Sequence, residues 1–415
     1  MKNKKYFVDL FAGCGGLSLG LENAGFIPAY VNEIDPDAME SYLINRDKEF
    51  PLLREKYNSN DIQKNLTRKK GALEKLSLDF ESDYGFKKHE LDLVVGGPPC
   101  QGFSPLGMRR TASIERKNIP SNYLYKDMIK AIQSFEPKAF LFENVAGLIR
   151  GRWTTNGTKG EMWKDVESAF QKLKKYNIHF ELLHAKDYGV PQNRPRIIMI
   201  GLRKDFKFEN DKSLPGNGLL PNPTNDFPNL GELLDDLIDT KYLDTLETKT
   251  YPSNPKNKIQ KKIRTNRKKN VLKKGDKVTE QKYSKHSEKI IEKFQYMINN
   301  NGKIPKKMET KKFVQRVIPR KWDKKGPSIT VTSLPDDFVH YLQPRSITVR
   351  EWARLQLFPD WYEFSGPRTT GGRKRAGDFS KGDWRRETPR YTQIGNAVPV
   401  KLAEEIGKHL AKLIK

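Results

Sequence analysis

One of the two cysteines of the chain, Cys100, stands directly after two prolines in the stretch GGPPC at residues 96–100. An apolar run precedes it and predicts a buried strand over residues 91–97. Because proline fixes φ and donates no backbone hydrogen bond, the two prolines would hold this cysteine rigidly at the end of the strand. A rigidly held thiol can serve as a nucleophile. A lone cysteine is more commonly a buried structural residue, so the pattern leaves both interpretations open.

A glycine-rich stretch, DLFAGCGG at residues 9–16, follows the first apolar run and precedes a segment with helical spacing. Glycines at the carboxyl end of a strand let backbone N–H groups approach a ligand closely. Glu33 lies 24 residues after Asp9, at the end of the second apolar run, where a carboxylate can accept hydrogen bonds from ribose hydroxyls. The Gly-x-Gly-Gly spacing differs from the Gly-x-Gly-x-x-Gly of dinucleotide sites. The pattern favours a nucleoside cofactor such as S-adenosylmethionine, with NAD as the alternative.

A third group of polar side chains lies in PQNRPR, residues 191–196. Because side chains of an extended segment alternate with a period of two, Gln192, Arg194 and Arg196 are predicted to share one face. The two prolines indicate an edge or an entry segment, where a surface arginine pair is the ordinary explanation. A functional role for the pair stays open at this point.

The elements that position these residues are predicted from hydrophobic periodicity. Apolar runs indicate buried strands, and the segments between them have helical spacing. Strands that are apolar throughout and separated by helices are typical of an α/β fold with a mostly parallel sheet covered on both faces. The predicted strands are 4–11, 26–35, 91–97, 138–145, 177–185 and 194–202, and the predicted helices are 17–25, a segment with Pro36 in its first turn, 161–175, a helix within 346–361 and an amphipathic helix at the C-terminus.

Positive charge is concentrated in one part of the chain. The 415 residues carry a formal net charge of +26, and residues 251–330 contain 25 Lys and Arg against six Asp and Glu, a net +19. The same window includes Tyr283, Phe294 and Trp322, which can contribute to a folded core. A folded basic lobe is typical of a protein that binds nucleic acid. A lysine-rich solvated surface is the alternative.

Composition excludes two classes of protein. Two cysteines are too few for a disulfide framework. No run approaches the roughly 18 apolar residues that a membrane-spanning helix needs. We therefore expect a reduced, cytoplasmic protein.

Seven motifs, in this order along the chain, resemble those of the DNA (cytosine-5) methyltransferases of the bacterial restriction-modification type. The resemblance covers nearly all of the chain outside residues 204–330. It implies a Rossmann-like S-adenosylmethionine-dependent methyltransferase fold with a smaller basic target-recognition domain. The motifs are DLFAGCGG, NEID, GGPPCQGFS, ENV at 143–145, DYGVPQNRPR at 187–196, TVREWARLQLFPD at 348–360 and RYTQIGNAVP at 390–399.

The resemblance implies a mechanism that explains why a cysteine is needed. Cys100 would attack carbon 6 of a flipped-out cytosine, so that carbon 5 accepts the methyl group of S-adenosylmethionine and elimination then releases the enzyme. Glu143 would hydrogen-bond N3 and the 4-amino group of the base, and Arg194 and Arg196 would position the cytosine and steady Glu143. Because the thiolate is the reactive form, we expect positive or dipolar neighbours to lower the pKa of Cys100.

The resemblance also implies binding residues. It assigns DNA contacts to Gln101, Ser104, Gln192 and Arg350, and it implies no metal site. Because cofactor contacts would come from both ends of the chain, the C-terminal helix should fold back onto the N-terminal lobe. The implied cofactor contacts are Phe11, Gly13, Gly15, Glu33, Ile34, Asp61, Pro98, Asn396 and Val398.

The domain organisation follows from the same motifs. Residues 1–203, completed by 386–415, are predicted to form the catalytic and cofactor-binding domain, 204–345 the target-recognition domain, and 346–385 a hinge helix with a DNA-facing loop. The expected partner is double-stranded DNA, bound by a monomer. A restriction endonuclease could act on the same site without direct contact.

Three alternatives remain open from the sequence: a catalytically silent DNA-binding regulator with the same fold, a tRNA methyltransferase with the same catalytic residues, and a nicotinamide oxidoreductase. The intact Cys, Glu and Arg set argues against the first, and the basic insert argues against the second. One departure from the family pattern is Leu357, which stands where the family usually has glycine.

Overall fold

The structure is a computed structural model that describes residues 4–100, 115–309, 315–332, 334, 337–370 and 387–415. Its centre is a seven-stranded sheet. The strands are β1 (Lys5–Leu10), β2 (Phe26–Asn32), β3 (Asn58–Ser59), β4 (Leu93–Gly96), β5 (Ala139–Val145), β6 (Tyr176–His184) and β7 (Pro195–Arg203). Their order across the sheet is β3-β2-β1-β4-β5-β7-β6.

The sheet is mostly parallel, as predicted. Strands β1 to β5 pair in parallel, and β7 runs antiparallel to both β5 and β6. The expectation of strands separated by helices is wrong between β6 and β7. Only a 3₁₀ turn, Ala185–Tyr188, begins that connection, and a parallel neighbour would need a much longer crossover.

The helices cover both faces of the sheet and build the second lobe, which is the described part of residues 204–385. Asp35 caps α2 by accepting a hydrogen bond of 2.8 Å from Ala38 N, and Pro36 occupies the first turn as predicted. The helices are α1 (Gly16–Asn23), α2 (Pro36–Ile44), α3 (Pro51–Glu55), α4 (Ala72–Tyr84), α5 (Tyr125–Phe135), α6 (Glu161–Gln171), α7 (Leu230–Leu234), α8 (Tyr242–Thr245), α9 (Lys258–Ile263), α10 (Glu288–Asn299), α11 (Val349–Leu355), α12 (Arg390–Asn396) and α13 (Val400–Leu413).

Short helical turns connect these elements. One is a π-helical turn, Gln63–Thr67, and the others are 3₁₀ turns at Arg116–Asn118, Pro120–Tyr123, Ala146–Arg150, Ala185–Tyr188, Pro215–Gly218, Asp235–Leu237 and Lys306–Met308. Within the described ranges, no helix is both long and apolar enough to cross a membrane. The same ranges contain no group of three or more His, Cys, Asp or Glu side chains that could hold a metal ion.

The C-terminal helix α13 folds back onto the N-terminal lobe, as expected. Its apolar stripe at Leu402, Ile406 and Leu410 is buried in the core that also contains Leu17 and Leu21 of α1. The two helices approach so closely at Gly20 that an added Cβ would lie 2.4 Å from the Cβ of Ala403. The C-terminal helix therefore packs into the same domain as the N-terminal segment.

The second lobe contains little regular strand structure beyond a two-stranded pairing of β8 (Arg316–Val317) with β9 (Phe338–Val339). Every residue of α11 is buried, and its Trp352 packs in one core with Leu230, Ile318 and Tyr391. A capping box between Thr348 and Glu351 begins this helix. Because α11 shares that core with segments before and after it in the chain, the helix is part of the core of the second lobe.

Candidate active site

The carboxyl ends of three neighbouring strands, β1, β4 and β5, bring the motif residues to one edge of the sheet. Gly96 at the end of β4 pairs with Phe142 of β5, which places Gly97 against Glu143. A Cβ added to Gly97 would lie 2.8 Å from Glu143 Oε2. Glycine at this position therefore leaves room for the carboxyl group.

Glu143 is buried, and its closest charged partner is Arg196. Arg196 Nε lies 2.7 Å from Glu143 Oε1, across the antiparallel pairing of β5 with β7. Burial raises the pKa of the Glu143 carboxyl, and the positive charges of Arg196 and Arg194 only partly offset this. The carboxyl group therefore holds a proton more readily than an exposed glutamate does.

Cys100 lies half-buried at the same edge. The pKa of its thiol is raised to about 12: burial is the largest cause, a hydrogen bond with the Asn144 side chain acts in the opposite direction, and the nearby Glu143 carboxylate adds to the rise. The prediction of a lowered pKa is therefore wrong for this arrangement, because desolvation and a negative neighbour outweigh the single favourable hydrogen bond. A proton on Glu143 would remove the negative neighbour.

The sequence assigns no role to Asn144 of the ENV motif, but in the structure this residue links the GGPPC segment to the end of β5. Its Nδ2 donates to Pro98 O at 3.0 Å, and its Oδ1 accepts from Val145 N at 2.9 Å. Together with the hydrogen bond to Cys100, these contacts hold the proline turn against the end of β5. The position of Asn144 next to Glu143 in the motif was the available signal.

Gln192, Arg194 and Arg196 do not all contact the same group: Gln192 and Arg194 both bond to the backbone of Val331. Only Arg196 reaches Glu143; Arg194 instead donates to Val331 O at 2.8 Å and to Gly395 O at 2.6 Å. Burial lowers the pKa of Arg194, and the positive charge of Arg196 lowers it further. Arg194 therefore connects the segment before β7 with the second lobe and α12.

Two predicted DNA contacts are wrong in this arrangement because both side chains are fully buried. Gln192 Nε2 donates to Leu355 O at 2.8 Å, and its Oε1 accepts from Val331 N at 3.0 Å. The Arg350 guanidinium donates to Thr279 Oγ1 at 2.7 Å and to Tyr362 O at 3.0 Å. Both residues hold the interior of the protein together. The other two predicted DNA contacts, Gln101 and Ser104, lie outside the described residues.

The glycine-rich loop has the conformation that the sequence implied. Positive φ angles occur at Phe11 (63°), Gly13 (56°) and Gly15 (85°). The Glu33 carboxylate accepts hydrogen bonds of 2.8 Å from Gly13 N and from Asp35 N, which joins the loop to the end of β2. Burial raises the pKa of Glu33. A concave backbone surface next to a fixed carboxylate can bind a nucleoside.

The remaining predicted cofactor residues lie around this loop or near it. Ile34 is 73% exposed, an unusual fraction for an isoleucine between two buried elements. Asp61 accepts from Gln63 N at 2.9 Å at the start of the π-helical turn. Pro98 is buried, Asn396 is exposed at the end of α12, and Val398 O lies against Gly16, where an added Cβ would approach it to 2.4 Å.

The comparisons with known proteins agree with this geometry. A family model described as C-5 cytosine-specific DNA methylase matches residues 6–412. The chain is 28% identical over 417 residues to Type II methyltransferase M.DdeI of Desulfomicrobium norvegicum, with 97% of this chain and 88% of that protein covered. It is 30% identical over 419 residues to Type II methyltransferase M.BsuRI of Bacillus subtilis, with 97% and 78% covered.

A solved structure shares the fold. It is a DNA modification methyltransferase encoded within an E. coli prophage, and it superposes with a TM-score of 0.65 at 23% identity over 99% of both chains. This likeness shows the fold, and the family match shows that the chain is an S-adenosylmethionine-dependent methyltransferase. The chain belongs to the C-5 cytosine-specific DNA methylase family, and its activity is that of a DNA (cytosine-5) methyltransferase.

The residues present fit S-adenosylmethionine. Glu33 offers a half-buried carboxylate beside the exposed apolar side chain of Ile34, a combination that suits a ribose with its attached base. The cofactor supplies the electrophilic methyl group when it is bound.

Proposed function

We propose that this chain methylates carbon 5 of a flipped-out cytosine in a specific double-stranded DNA sequence, with Cys100 as the nucleophile. The observation that carries the proposal is the convergence of Cys100, Glu143 and Arg196 at one sheet edge, with 2.7 Å between the Glu143 and Arg196 side chains. Carbon 5 of cytosine is a poor nucleophile until a group adds to carbon 6, which is why this reaction needs a thiolate.

The protonation state of Glu143 affects the reaction of Cys100 in two ways. As the Cys100 sulfur bonds to carbon 6, electron density moves toward N3, where a protonated Glu143 can donate a hydrogen bond. The raised pKa of Glu143 favours the protonated form, and that proton also removes the negative charge that raises the pKa of Cys100. After carbon 5 is methylated, loss of its proton expels the thiolate and restores the aromatic ring.

The two arginines have different roles in this proposal. Arg196 steadies Glu143 through their ion pair and lies where it can contact the base. Arg194 acts through its hydrogen bonds to Val331 O and Gly395 O, which hold the second lobe and α12 beside the site. A contact of Arg194 with cytosine would require it to give up one of these bonds.

The cofactor would bind along the glycine-rich loop. Glu33 is suited to the ribose hydroxyls, Ile34 and Asp61 to the adenine, and the backbone from Phe11 to Gly15, with Pro98 and the Asn396–Val398 segment, to the remainder. In this assignment, residues 1–203 and 386–415 form the catalytic domain. Residues 204–345 form the target-recognition domain, and 346–385 connect the two.

DNA binding must offset the cost of flipping the base, on the order of a few kcal/mol. The net charge of +19 over residues 251–330 suits phosphate contacts, whose affinity falls steeply as salt rises. Base-edge contacts from the same lobe would select the sequence. The names of the Type II relatives suggest that the chain is the modification enzyme of a restriction-modification system. We propose that it acts as a monomer, on the sites of a partner endonuclease and without contacting that endonuclease.

The decisive experiment is covalent trapping with duplex DNA that contains 5-fluorocytosine. Fluorine at carbon 5 cannot leave as a proton does, so the wild-type protein with S-adenosylmethionine should form a stable adduct that maps to Cys100. The Cys100→Ala variant should bind the duplex within a few-fold of the wild type and form no adduct. Absence of the wild-type adduct, or an adduct in the variant, would refute the assignment of the nucleophile.

The target sequence follows from a second measurement. Unmethylated genomic DNA is incubated with the protein and S-adenosylmethionine, and modified cytosines are mapped at single-base resolution. Modification confined to one short sequence context would support a sequence-specific enzyme, and modification of cytosines in all contexts would contradict it.

A further inference from the structure

The second lobe contacts the glycine-rich loop directly through Tyr362. This tyrosine follows α11 in the segment Trp361–Phe364, and it is fully buried. Its hydroxyl donates to Cys14 O at 2.5 Å, across 348 residues of sequence. The middle of the loop is thus held by a residue from outside the sheet domain.

Arg46, two residues after the end of α2, binds the next carbonyl of the loop. Its Nη2 donates to Gly15 O at 3.3 Å, and its Nη1 donates to Tyr362 Oη at 3.1 Å. The guanidinium is buried and pairs with Glu22, Nη2 to Oε1, at 2.6 Å. It also stacks over the Tyr42 ring, with 3.8 Å from Cζ to the ring centroid.

The loop fits closely against these side chains. Gly15 has a φ of 85°, which only glycine adopts readily. A Cβ added there would lie 2.8 Å from Tyr362 Oη and 2.9 Å from Arg46 Nη1. Glycine at this position is therefore required both by the backbone and by the two side chains that hold it.

The segment that carries Tyr362 is itself fixed by the basic lobe. The Arg267 guanidinium lies over the Trp361 ring at 4.1 Å and pairs with Glu49 at 2.6 Å, Nη1 to Oε1. Asn45 donates from Nδ2 to Glu363 O at 2.8 Å. Contacts on both sides of Tyr362 thus prevent it from moving away from the loop.

We infer that Tyr362 and Arg46 are positioning residues for the cofactor loop. They donate hydrogen bonds to the carbonyls of Cys14 and Gly15, whereas the N–H of Gly13 is bonded to Glu33. Loss of either contact lets the loop sample other conformations, and the cofactor must then order it again on binding. The inference rests on the proposed assignment of this loop to S-adenosylmethionine.

The test compares the affinity of three variants for S-adenosylmethionine by isothermal titration calorimetry. Tyr362→Phe keeps the ring and removes only the hydroxyl, and Arg46→Lys keeps the charge and removes the fork of donors. Tyr176→Phe is the matched control, because its buried hydroxyl donates to Pro137 O at 2.8 Å at the opposite end of the sheet. We expect Kd for S-adenosylmethionine to rise about fivefold or more in the first two variants, as one lost hydrogen bond implies, and to stay unchanged in the control.

Steady-state kinetics separate positioning from a general loss of structure. KM for S-adenosylmethionine should rise in Tyr362→Phe, while kcat and Kd for DNA stay within twofold of the wild type. Equal changes of Tm in Tyr362→Phe and Tyr176→Phe, with a change of cofactor affinity only in the former, would support the inference. Unchanged cofactor affinity in Tyr362→Phe and Arg46→Lys, or an equal rise of Kd in the control, would overturn it.

A fourth variant distinguishes this inference from the assignment of the loop. Glu33→Ala removes the carboxylate that would bind the ribose, so it should weaken S-adenosylmethionine binding far more than Tyr362→Phe does. If Glu33→Ala binds the cofactor like the wild type, the assignment of the loop is wrong. If Glu33→Ala loses affinity and Tyr362→Phe does not, only the positioning role is wrong.

Discussion

Two regions of this protein bury arginine with carboxylate, and the ionisation of the groups differs between them. In the second lobe, each buried carboxylate accepts several hydrogen bonds, most of them from arginine side chains. At the sheet edge, the Glu143 carboxyl has one ion pair with Arg196, and its pKa is raised. The second lobe contains the carboxylates Asp236, Glu351 and Asp360, and the arginines Arg264, Arg345 and Arg354.

The second lobe shows what complete pairing does. Arg345 donates to both carboxylate oxygens of Glu351, at 2.8 and 2.6 Å, and Thr348 N donates to the same group at 2.9 Å. These contacts lower the pKa of Glu351 to about 2, although burial alone would raise it. Arg354 bridges Asp236 and Asp360, and their charges hold its pKa above its ordinary value. This region is a structural network of fixed charge.

The sheet edge shows the opposite directions. The pKa values of Glu143 and Cys100 are raised, and those of Arg194 and Arg196 are lowered, in each case with burial as the largest cause. Groups whose ionised form is disfavoured can change protonation during a reaction, whereas a fully paired network cannot. The contrast teaches that a buried charged group does not by itself mark an active site. Buried groups mark one when neighbouring charges and hydrogen bonds compensate only part of their desolvation.

The largest expected effect on stability comes from breaking the network. Arg354→Ala leaves Asp236 and Asp360 buried without the cation that donates to both. We expect the free energy of unfolding to fall by about 3 to 5 kcal/mol, as measured by urea unfolding. Arg196→Ala is the comparison at the site, and it should cost much less stability and far more activity. Equal losses of stability in the two variants would contradict the distinction between the regions.

The second prediction concerns activity. Glu143→Gln cannot share a proton with N3 and keeps the shape of the side chain, so kcat should fall by roughly 10² to 10⁴. The change replaces a carboxyl group whose ionised form is already disfavoured, so Tm should change by only a few degrees. Glu351→Gln is the matched control, with the same chemical change in the paired network, and it should lose stability first. A fully active Glu143→Gln variant would refute the proposed role.

The third prediction uses the pH dependence of stability in the network. The folded pKa of Glu351 lies below its ordinary value of 4.5, so its contribution is present above pH 4.5 and is lost as pH falls toward about 2. The contribution is on the order of 3 kcal/mol. Unfolding free energies measured between pH 2 and 6 should show this acid limb in the wild type and a shallower one in Glu351→Gln.

Near the site, Asp9 should make the free energy of unfolding change with pH in the opposite direction. Burial raises the pKa of Asp9, which accepts a hydrogen bond from Ser18 Oγ at 2.5 Å, from 3.8 to about 7. Because the folded state holds this proton more tightly, stability should fall as pH rises from about 4 to 7, by at most about 4 kcal/mol. Asp9→Asn should flatten that slope, as measured by unfolding between pH 4 and 8. An unchanged slope would assign the effect to other groups.

The smallest expected effect is at Leu357, where the family usually has glycine. The residue has a φ of 59°, a conformation that costs a non-glycine residue about 1 to 2 kcal/mol. Leu357→Gly relieves this strain but loses apolar contacts and adds backbone freedom, so we expect a gain of at most about 1 kcal/mol. Leu357→Ala keeps the strain, loses the contacts and should destabilise the protein. Thermal unfolding of the two variants distinguishes these contributions.

Much of the fold could be predicted because its signals are local. An apolar run followed by a glycine turn predicted the ends of β1 and β4, and Pro36 predicted the start of α2. The motifs predicted that Cys100 and Glu143 would meet, since Cys100 follows one buried strand, Glu143 lies near the end of another, and both strands end at the same edge. Periodicity did not predict the antiparallel direction of β7, because strand direction depends on the length and path of the connection.

The predictions that failed concern side chains whose surroundings come from distant parts of the chain. A polar residue in a family motif can face the substrate or the interior, and sequence spacing does not distinguish the two. Gln192 and Arg350 were expected on the DNA and lie in the core. The pKa of Cys100 was expected to fall, but desolvation depends on how completely the neighbouring segments cover the thiol.

The amino-acid sequence by itself determined the strands, the glycine loop with Glu33 and the set of reactive residues, because alternation, glycine spacing and capping act over a few residues. Only the tertiary structure decided which of those residues share a pocket, which are buried as structural ion pairs, and that Tyr362 reaches Cys14 across 348 residues. The physical reason is that desolvation and long-range hydrogen bonds depend on the segments that pack around a group, and no local pattern in the sequence specifies those segments.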